Sequence, residues 1–439
     1  MNAPEPLLPL VVDVDGSLVR GDLLHEATLK FIAHHPFESW RLLLWLVRGK
    51  KELREQLAAR MDLSDLQVPL QTQALHSIKA ARENGRKIVL TSASPRQWVE
   101  PLAARIGGAE IVANEASLIV AGSASRAALV ESLGEAEFDY LDSLAPERAS
   151  PSDYLRALRP HQWTKNLLLF LPLVASHTMF DPRAALAALI AFLAFCAAAS
   201  SAYIINDLLD LTSDRDHPDK KNRPFASGAI SPVRGLALAA ILVVSALCIS
   251  MALPMQFTMI LATYLSLTLA YSLVLKRRLI IDIIALGGLY TIRVIAGVIA
   301  LEQTQSTWLF MFSLFLFLSL AAIKRCSELV ARRESGKPDP LGRGYRIGDA
   351  AALFPLAAAA GYGAVLVVAL YISSPDVMVL YRYPERLWLT CPLLLYWISR
   401  IIVISSRNEL HHDPLIFAIT DKVSWFVGAL TALVIATSI

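Results

Sequence analysis

The chain has 439 residues, of which 55% are hydrophobic and only 18% charged, with a net charge of +3. That apolar excess excludes a disordered chain, and so small a positive balance argues against nucleic acid as a partner. Its four cysteines form neither a C-x-x-C pair nor a pairing pattern, which argues against a disulfide framework or a zinc site.

Up to about residue 150 short apolar runs alternate with charged, helix-forming stretches, as in a soluble α/β domain. The start, "MNAPEPLLPLVVDVDGS", lacks the basic region of a signal peptide, and its apolar run ends in aspartates. In "LPLVVDVDGSLVRGD" a β-run ends in Asp13-Val14-Asp15-Gly16-Ser17. Two carboxylates at a strand tip before a glycine suit Mg²⁺ binding and attack on a phosphate. Helical residues follow between about 22 and 84, and then "GRKIVLTSASP" predicts a buried strand over 87–90 that ends in Thr91 and Ser92. Hydroxyls and free N–H groups there, at the start of the next helix, receive phosphate oxygens. Strands alternating with helices predict a parallel sheet with its site at the C-terminal strand ends.

The D-x-D-G-S stretch with the strand ending in threonine resembles the haloacid dehalogenase-like phosphatases. The resemblance implies a Rossmann-like α/β fold over residues 1–150, with residues 22–84 as a small cap. It implies Asp13 as the nucleophile that becomes an aspartyl-phosphate, Asp15 as general acid/base, Thr91 as phosphate ligand, and Asp13, Asp15 and Asp142 around Mg²⁺. Two later family motifs depart from the pattern. Arg126 stands where a lysine is expected, Leu141 replaces the glycine before Asp142, and Pro146, beside Glu147, occupies the position of a second aspartate. The domain is therefore open to two readings, a phosphatase or a non-catalytic regulatory or docking module.

Beyond residue 150 nine apolar stretches, roughly 163–179, 184–205, 233–251, 254–273, 280–301, 307–327, 351–373, 387–405 and 423–438, approach the length that crosses a bilayer. They predict an all-α transmembrane bundle over 151–439, with Trp163, Trp308 and Trp388 as interfacial anchors. Lysine and arginine concentrate in the loops 206–232, 274–279 and 324–346, while "LEQTQST" has none. This predicts an inner (plasma) membrane protein whose even-numbered spans end in the cytoplasm, where the N-terminal domain also lies.

The segment "NDLLDLTSDRDHPDKKNRP", 206–224, is the densest in charge and follows directly on a span. As a continuous helix it places Asn206, Asp207, Asp210 and Asp214 within an arc of about 100°. Carboxylates so close repel unless a cation neutralises them, and Mg²⁺ takes oxygen ligands while leaving positions for substrate phosphates. His217, Lys220 and Arg223, and one loop on Lys276 and Arg277, supply charge for the remaining oxygens of a diphosphate. Asp282 and Arg293 share a face of the fifth span, about 16 Å apart along its axis. An arginine within the membrane requires a partner, which is either a substrate group or an acid such as Asp282 or Glu302.

The N-D-x-x-D-x-x-x-D pattern of Asn206, Asp207, Asp210 and Asp214 resembles the first motif of the UbiA superfamily of intramembrane prenyltransferases. With "LRPHQWTKNLLLFLPL", "YSLVLKRRLIIDIIALGGLYTIRVIAGV", "AAIKRCSELVARR" and "DPLIFAITDK", it most resembles decaprenyl-phosphate phosphoribosyltransferases. The resemblance implies that phosphoribosyl diphosphate binds through Mg²⁺ and that Asp207 and Asp210 are catalytic. Lys276, Arg277, Lys324 and Arg325 are candidates for its 5-phosphate. A polyprenyl phosphate is the lipid acceptor, its phosphate held by Arg159, Lys165 and Arg293. The second motif departs from the generic pattern in having one clear aspartate, Asp282, after a basic cluster. The alternative is prenyl transfer to an aromatic acceptor. "GRGYRIG" at 342–348 reads as a loop and helix cap, with Arg343 and Arg346 as further donor candidates, and His411-His412 beside Asp413 reads as solvated.

Overall fold

Four parallel strands, β1 (Leu10–Asp13), β2 (Ile88–Ser92), β3 (Glu110–Ala113) and β4 (Asp139–Tyr140), form a sheet in the order β3-β2-β1-β4. The computed structural model describes residues 8–63, 67–113, 138–141, 149–176, 178–218, 220–304, 306–340, 343–410 and 413–439. Arg126, Asp142, Pro146, Glu147, His411 and His412 lie outside them.

The apolar runs Leu10-Val11-Val12 and Ile88-Val89-Leu90 are buried throughout, as parallel strands covered on both faces require. Val12 and Leu90 face a core shared with Phe31, Leu57 and Trp98, whereas Val11 and Val89 pack on Phe138. Helices α1 (Leu23–His34), α2 (Arg41–Val47), α3 (Lys50–Ala58), α4 (Thr72–Glu83) and α5 (Arg96–Arg105) complete this region. The expected α/β fold is present, and the β1–β2 register sets Asp13 beside Thr91.

After α6 (Pro151–Leu158) the chain enters a 3-10 stretch, Pro160–Phe170, and the short α7 (Leu171–Ala175). The expected first span, 163–179, is thus no regular α-helix. Its polar residues explain the difference: Lys165 and Asn166 are buried and bonded to side chains elsewhere in the bundle, and Pro172 has no N–H to donate. Gly297 allows the segment to approach closely, since a Cβ there would lie 2.3 Å from the Leu169 carbonyl oxygen.

The helices that follow are α8 (Pro182–Leu209), α9 (Leu211–Asp216), α10 (Pro232–Ser250), α11 (Met255–Leu273), α12 (Ile281–Ala300) and α13 (Thr307–Glu334). Then come α14 (Ala350–Ile372), α15 (Pro375–Leu380), α16 (Thr390–Ser406), α17 (Pro414–Thr420) and α18 (Lys422–Ser438). Among the described residues seven helices are long and apolar enough to cross a membrane. An eighth is added if α17 and α18, bent by 78°, make one span, so the expected all-α bundle is present and its count of about nine spans is approximate.

Two compact units divide the chain, Met1–Arg159 with Tyr203–Ile241, and Pro160–Ala202 with Leu242–Ile439. The first therefore joins the α/β region to the charged loop. Arg215 of α9 forms a buried two-pronged ion pair with Glu26 of α1, at 2.8 and 3.0 Å. Gly228, at φ +76°, lies so close to Pro69 and Arg20 that a Cβ would stand 2.8 Å from the Pro69 ring. In the second unit one core gathers Ile283, Phe317, Ile323 and Ile401, and another Phe195, Phe257, Leu261 and Tyr264.

Candidate active sites

At the tip of β1 a tight loop, with Gly16 at φ +107°, turns Asp15 back over the sheet edge. One oxygen of Asp15 accepts the Leu23 N–H at 3.0 Å, and the other accepts the hydroxyls of Ser92 at 2.9 Å and Ser94 at 3.2 Å. Ser94, absent from the sequence expectation, thus helps to fix Asp15. Thr91 is buried, and its hydroxyl makes no close hydrogen bond, although the Tyr140 hydroxyl lies within reach of it. A hydroxyl so weakly engaged beside Asp13 fits a phosphate oxygen.

Burial and then the charge of Asp15 push Asp13 up to about 6 from 3.8. Burial and then the charge of Asp22 also raise Asp15. Two acids destabilised in their charged forms fit Mg²⁺, which would be held by Asp13 and Asp15. Because metal binds the ionised carboxylate, protons compete with it as pH falls through about 6, whereas an ordinary aspartate would compete only near 4. The Mg²⁺ affinity that is lost in Asp13→Asn is expected to be constant above pH 7 and to weaken by pH 5.5. Calorimetric titration at both pH values checks this, and equal affinities would refute it.

The acidic loop lies in the same compact unit. The helix expected over 206–214 is interrupted at Asp210, which stands between α8 and α9 with ψ 11°, although the Asp210 and Asp214 amides still donate to carbonyls four residues back. Asp207 is only 2% exposed and receives Arg159 and, at 3.3 Å, Arg223. Arg223 also reaches Asp214 at 2.6 Å, with Lys220 at 3.7 Å from its other oxygen. Asn206 donates to Asp210 at 2.9 Å. His217 caps the end of α9, half-buried. The sequence argument that these carboxylates require a metal needs correction, because arginines neutralise Asp207 and Asp214. Arg159 has left-handed backbone, φ 53°, and lies over the Tyr203 ring at 5.5 Å. A non-glycine residue held in that region marks a position fixed by its surroundings.

In the second unit Asp282 is wholly buried in the first turn of α12. Arg325 donates to both its oxygens, Tyr271 donates at 2.8 Å, and Arg343 stands 3.7 Å away. Arg325 also binds Glu328. Lys276 is half-buried and Arg277 exposed on the turn before α12. Lys324, at 2.8 Å, and Lys165, at 3.4 Å, share Asp413 with the Tyr290 hydroxyl. A cavity of about 320 Å³ opens here, lined by Lys324, Ser327, Glu328, Asn408 and Asp413. Asp413 had no role in the sequence expectation, although a buried lysine and a half-buried one on separate elements call for a shared counter-charge.

Arg293 does not pair with Asp282 or Glu302, which corrects the structural alternative above. It donates to Asn166 at 2.9 Å, to the Tyr264 hydroxyl at 2.9 Å and to the Leu289 carbonyl, over the Tyr264 ring. Among the described residues no carboxylate faces it, and no three acidic, histidine or cysteine side chains form a metal-binding group.

A parallel α/β domain with a D-x-D loop, followed by a bundle of apolar helices with clustered carboxylates and arginines, defines a membrane transferase joined to a hydrolase-like domain. The chain belongs to the UbiA prenyltransferase family, whose model matches residues 167–419. Residues 10–130 match the haloacid dehalogenase-like hydrolase model. The chain is 33% identical to the uncharacterized protein y4nM of Sinorhizobium fredii, over 97% of this chain and 90% of that one. It is 34% identical to the nodulation protein NoeC of Azorhizobium caulinodans, over 61% and 87%. It is 37% identical to the decaprenyl-phosphate phosphoribosyltransferase of Mycolicibacterium smegmatis, over 44% and 61%.

Proposed function

We propose that residues 151–439 transfer 5-phosphoribose from phosphoribosyl diphosphate to a polyprenyl phosphate, and that residues 1–150 then remove the 5-phosphate. The observation that carries this reading is the setting of Asp282. It is the single aspartate of its motif, its charge and that of Glu328 are met by Arg325 and Arg343, and the turn of Lys276 and Arg277 just before it suits a donor with an additional phosphate. The likeness to a decaprenyl-phosphate phosphoribosyltransferase supports the same class of reaction.

Asn206, Asp207, Asp210 and Asp214 would hold Mg²⁺, which when bound neutralises charge developing on the departing diphosphate. Arg223 and Lys220 are placed to move from carboxylate to diphosphate oxygens, with His217 beside them. Lys276, Arg277 and Lys324 take the 5-phosphate. Arg325, buried between Asp282 and Glu328, positions that aspartate instead of binding substrate. Arg159, Lys165 and Arg293 serve the lipid phosphate, and Arg293, whose partners among the described residues are neutral, is best suited to an anion. An ionised oxygen of that phosphate attacks C1 of the ribose as the C1–diphosphate bond breaks, so no general base is needed. In the N-terminal domain Asp13 would attack the 5-phosphorus as its bond to the ribose oxygen breaks, Asp15 would protonate that oxygen and then take a proton from the water that cleaves the aspartyl-phosphate to inorganic phosphate, and Thr91 would hold a phosphoryl oxygen.

The Glu26–Arg215 pair supports placing the N-terminal domain on the side where α8 ends, and the basic loops make that side the cytoplasm. Residues 160–175 would then carry the chain across. At about 2.0 Å per residue in the 3-10 stretch and 1.5 Å in α7 they cover roughly 30 Å, the thickness of a bilayer core.

Protein in nanodiscs with Mg²⁺, labelled phosphoribosyl diphosphate and polyprenyl phosphate is expected to form a labelled lipid and then release inorganic phosphate. Asp13→Asn should keep the first product and lose the second. Turnover only with a prenyl diphosphate and an aromatic acceptor would overturn the transferase reading.

A further inference from the structure

The α/β domain carries an apolar surface that neither candidate site uses. Between α1 and α3, Phe37, Trp40, Leu43, Leu44, Leu46 and Val47 are all exposed, Phe37 at 79% and Val47 at 87%. In the same stretch Trp45 is buried, set edge-on to Phe31 of α1 with ring centroids 5.4 Å apart. One indole therefore anchors the segment to the domain while six large apolar side chains face outward. Grouped aromatic and aliphatic exposure of this kind marks a contact surface.

Charge indicates what covers it. Arg48, Lys50 and Lys51 follow directly and are exposed. Glu38, the acid within the stretch, is taken by Arg41 at 2.6 Å, and the nearest acid to Lys51 is Glu55 at 4.0 Å. Arg48 and Lys50 form no ion pair among the described residues. An apolar face with tryptophan and a cationic edge matches the boundary between acyl chains and anionic headgroups.

Location within the first compact unit supports the same partner. That unit includes the end of the membrane-crossing helix α8, from Tyr203, and the start of α10, to Ile241. The domain is fastened to the loop between them by Glu26–Arg215 and by Gly228 against Pro69 and Arg20. Glu26 and Phe31 belong to one helix, so the element clamped to a membrane-proximal loop also carries the exposed segment. A bilayer is then available at high effective concentration, and modest affinity suffices.

We propose that residues 37–51 dock on the bilayer surface, with Phe37, Trp40, Leu43, Leu44, Leu46 and Val47 at the headgroup–acyl boundary and Arg48, Lys50 and Lys51 on anionic headgroups. This keeps the α/β domain against the bilayer surface, whichever lipid the transferase uses.

The test uses the full-length protein in nanodiscs of phosphatidylcholine with or without phosphatidylglycerol. Because Cys248 is exposed, the background is Cys248→Ser. Nitroxides are attached at Leu44→Cys, at Val47→Cys and, as a control, at Lys79→Cys, whose native side chain is 80% exposed on α4. The ratio of collisions with oxygen to collisions with a water-soluble nickel chelate is measured by electron paramagnetic resonance. At 44 and 47 the ratio is expected to exceed the control about tenfold in anionic nanodiscs, and to fall when Arg48→Glu, Lys50→Glu and Lys51→Glu are combined. Nickel access at 44 and 47 equal to that at 79 would overturn the proposal. So would shielding from both reagents with dipolar broadening between labels, which would show a second copy covering the face.

Discussion

Replacing Asp207 by asparagine is expected to lower formation of the labelled lipid by about 10²- to 10³-fold, the loss typical of removing one preorganised charge-stabilising group. The substitution keeps the shape of a side chain that is almost wholly buried, so packing changes little. Its cost to the fold is limited as well. Arg223 keeps Asp214 at 2.6 Å, and both Arg159 and Arg223 retain some contact with solvent. What is lost is one negative oxygen of the set proposed for Mg²⁺, so part of the defect should appear as a higher Mg²⁺ requirement. Asp210→Asn provides the comparison, because its carboxylate belongs to the same proposed set and accepts the Asn206 amide at 2.9 Å. If the role is metal binding the two variants should resemble one another. If Asp207 serves mainly to hold Arg159 and Arg223, only Asp207→Asn should lose thermal stability, and its turnover at saturating Mg²⁺ should be normal.

Charge and periodicity revealed the elements of each domain better than the partnerships between side chains. The run Leu10-Val11-Val12-Asp13 has the apolar continuity of a strand covered on both faces, and it is one. The paired motifs at the ends of two such strands therefore imply what the register shows, Asp13 beside Thr91. The segment 163–179 misled because hydropathy counts residues and not what they bond. Lys165 and Asn166 are buried there against Asp413 and Arg293, partners distant in sequence. The same limit hid the neutralisation of Asp207. Arg223 reads as one more cation of a basic loop until the chain's return from α9 brings it onto two carboxylates. Arg325 likewise appeared available for a phosphate, because nothing local announces that Asp282 on another helix occupies it. Glu26 carried no signal at all, being an ordinary acid in the first turn of an amphipathic helix.

That pair leads to the second large effect. Glu26→Ala leaves the Arg215 guanidinium buried, with the Ala226 carbonyl at 3.1 Å as its remaining hydrogen-bond acceptor among those identified. Breaking a buried pair from one side costs about 3–5 kcal/mol, because a charge is stranded. Arg215→Ala should cost a similar amount from the other side, and the exchange Glu26→Arg with Arg215→Glu should recover part of it, giving a coupling measurable in a double-mutant cycle. The functional consequence should cross the boundary between the domains. Arg215 follows Asp214 on α9, so releasing it loosens the acidic loop, while Glu26 lies one turn after Leu23, whose N–H fixes Asp15 at 3.0 Å. Glu26→Ala is therefore expected to reduce both lipid formation and phosphate release, whereas Asp13→Asn reduces only the second and Asp207→Asn acts on the first. Unchanged lipid formation in a folded Glu26→Ala protein would show that the α/β domain rests on the acidic loop without positioning it.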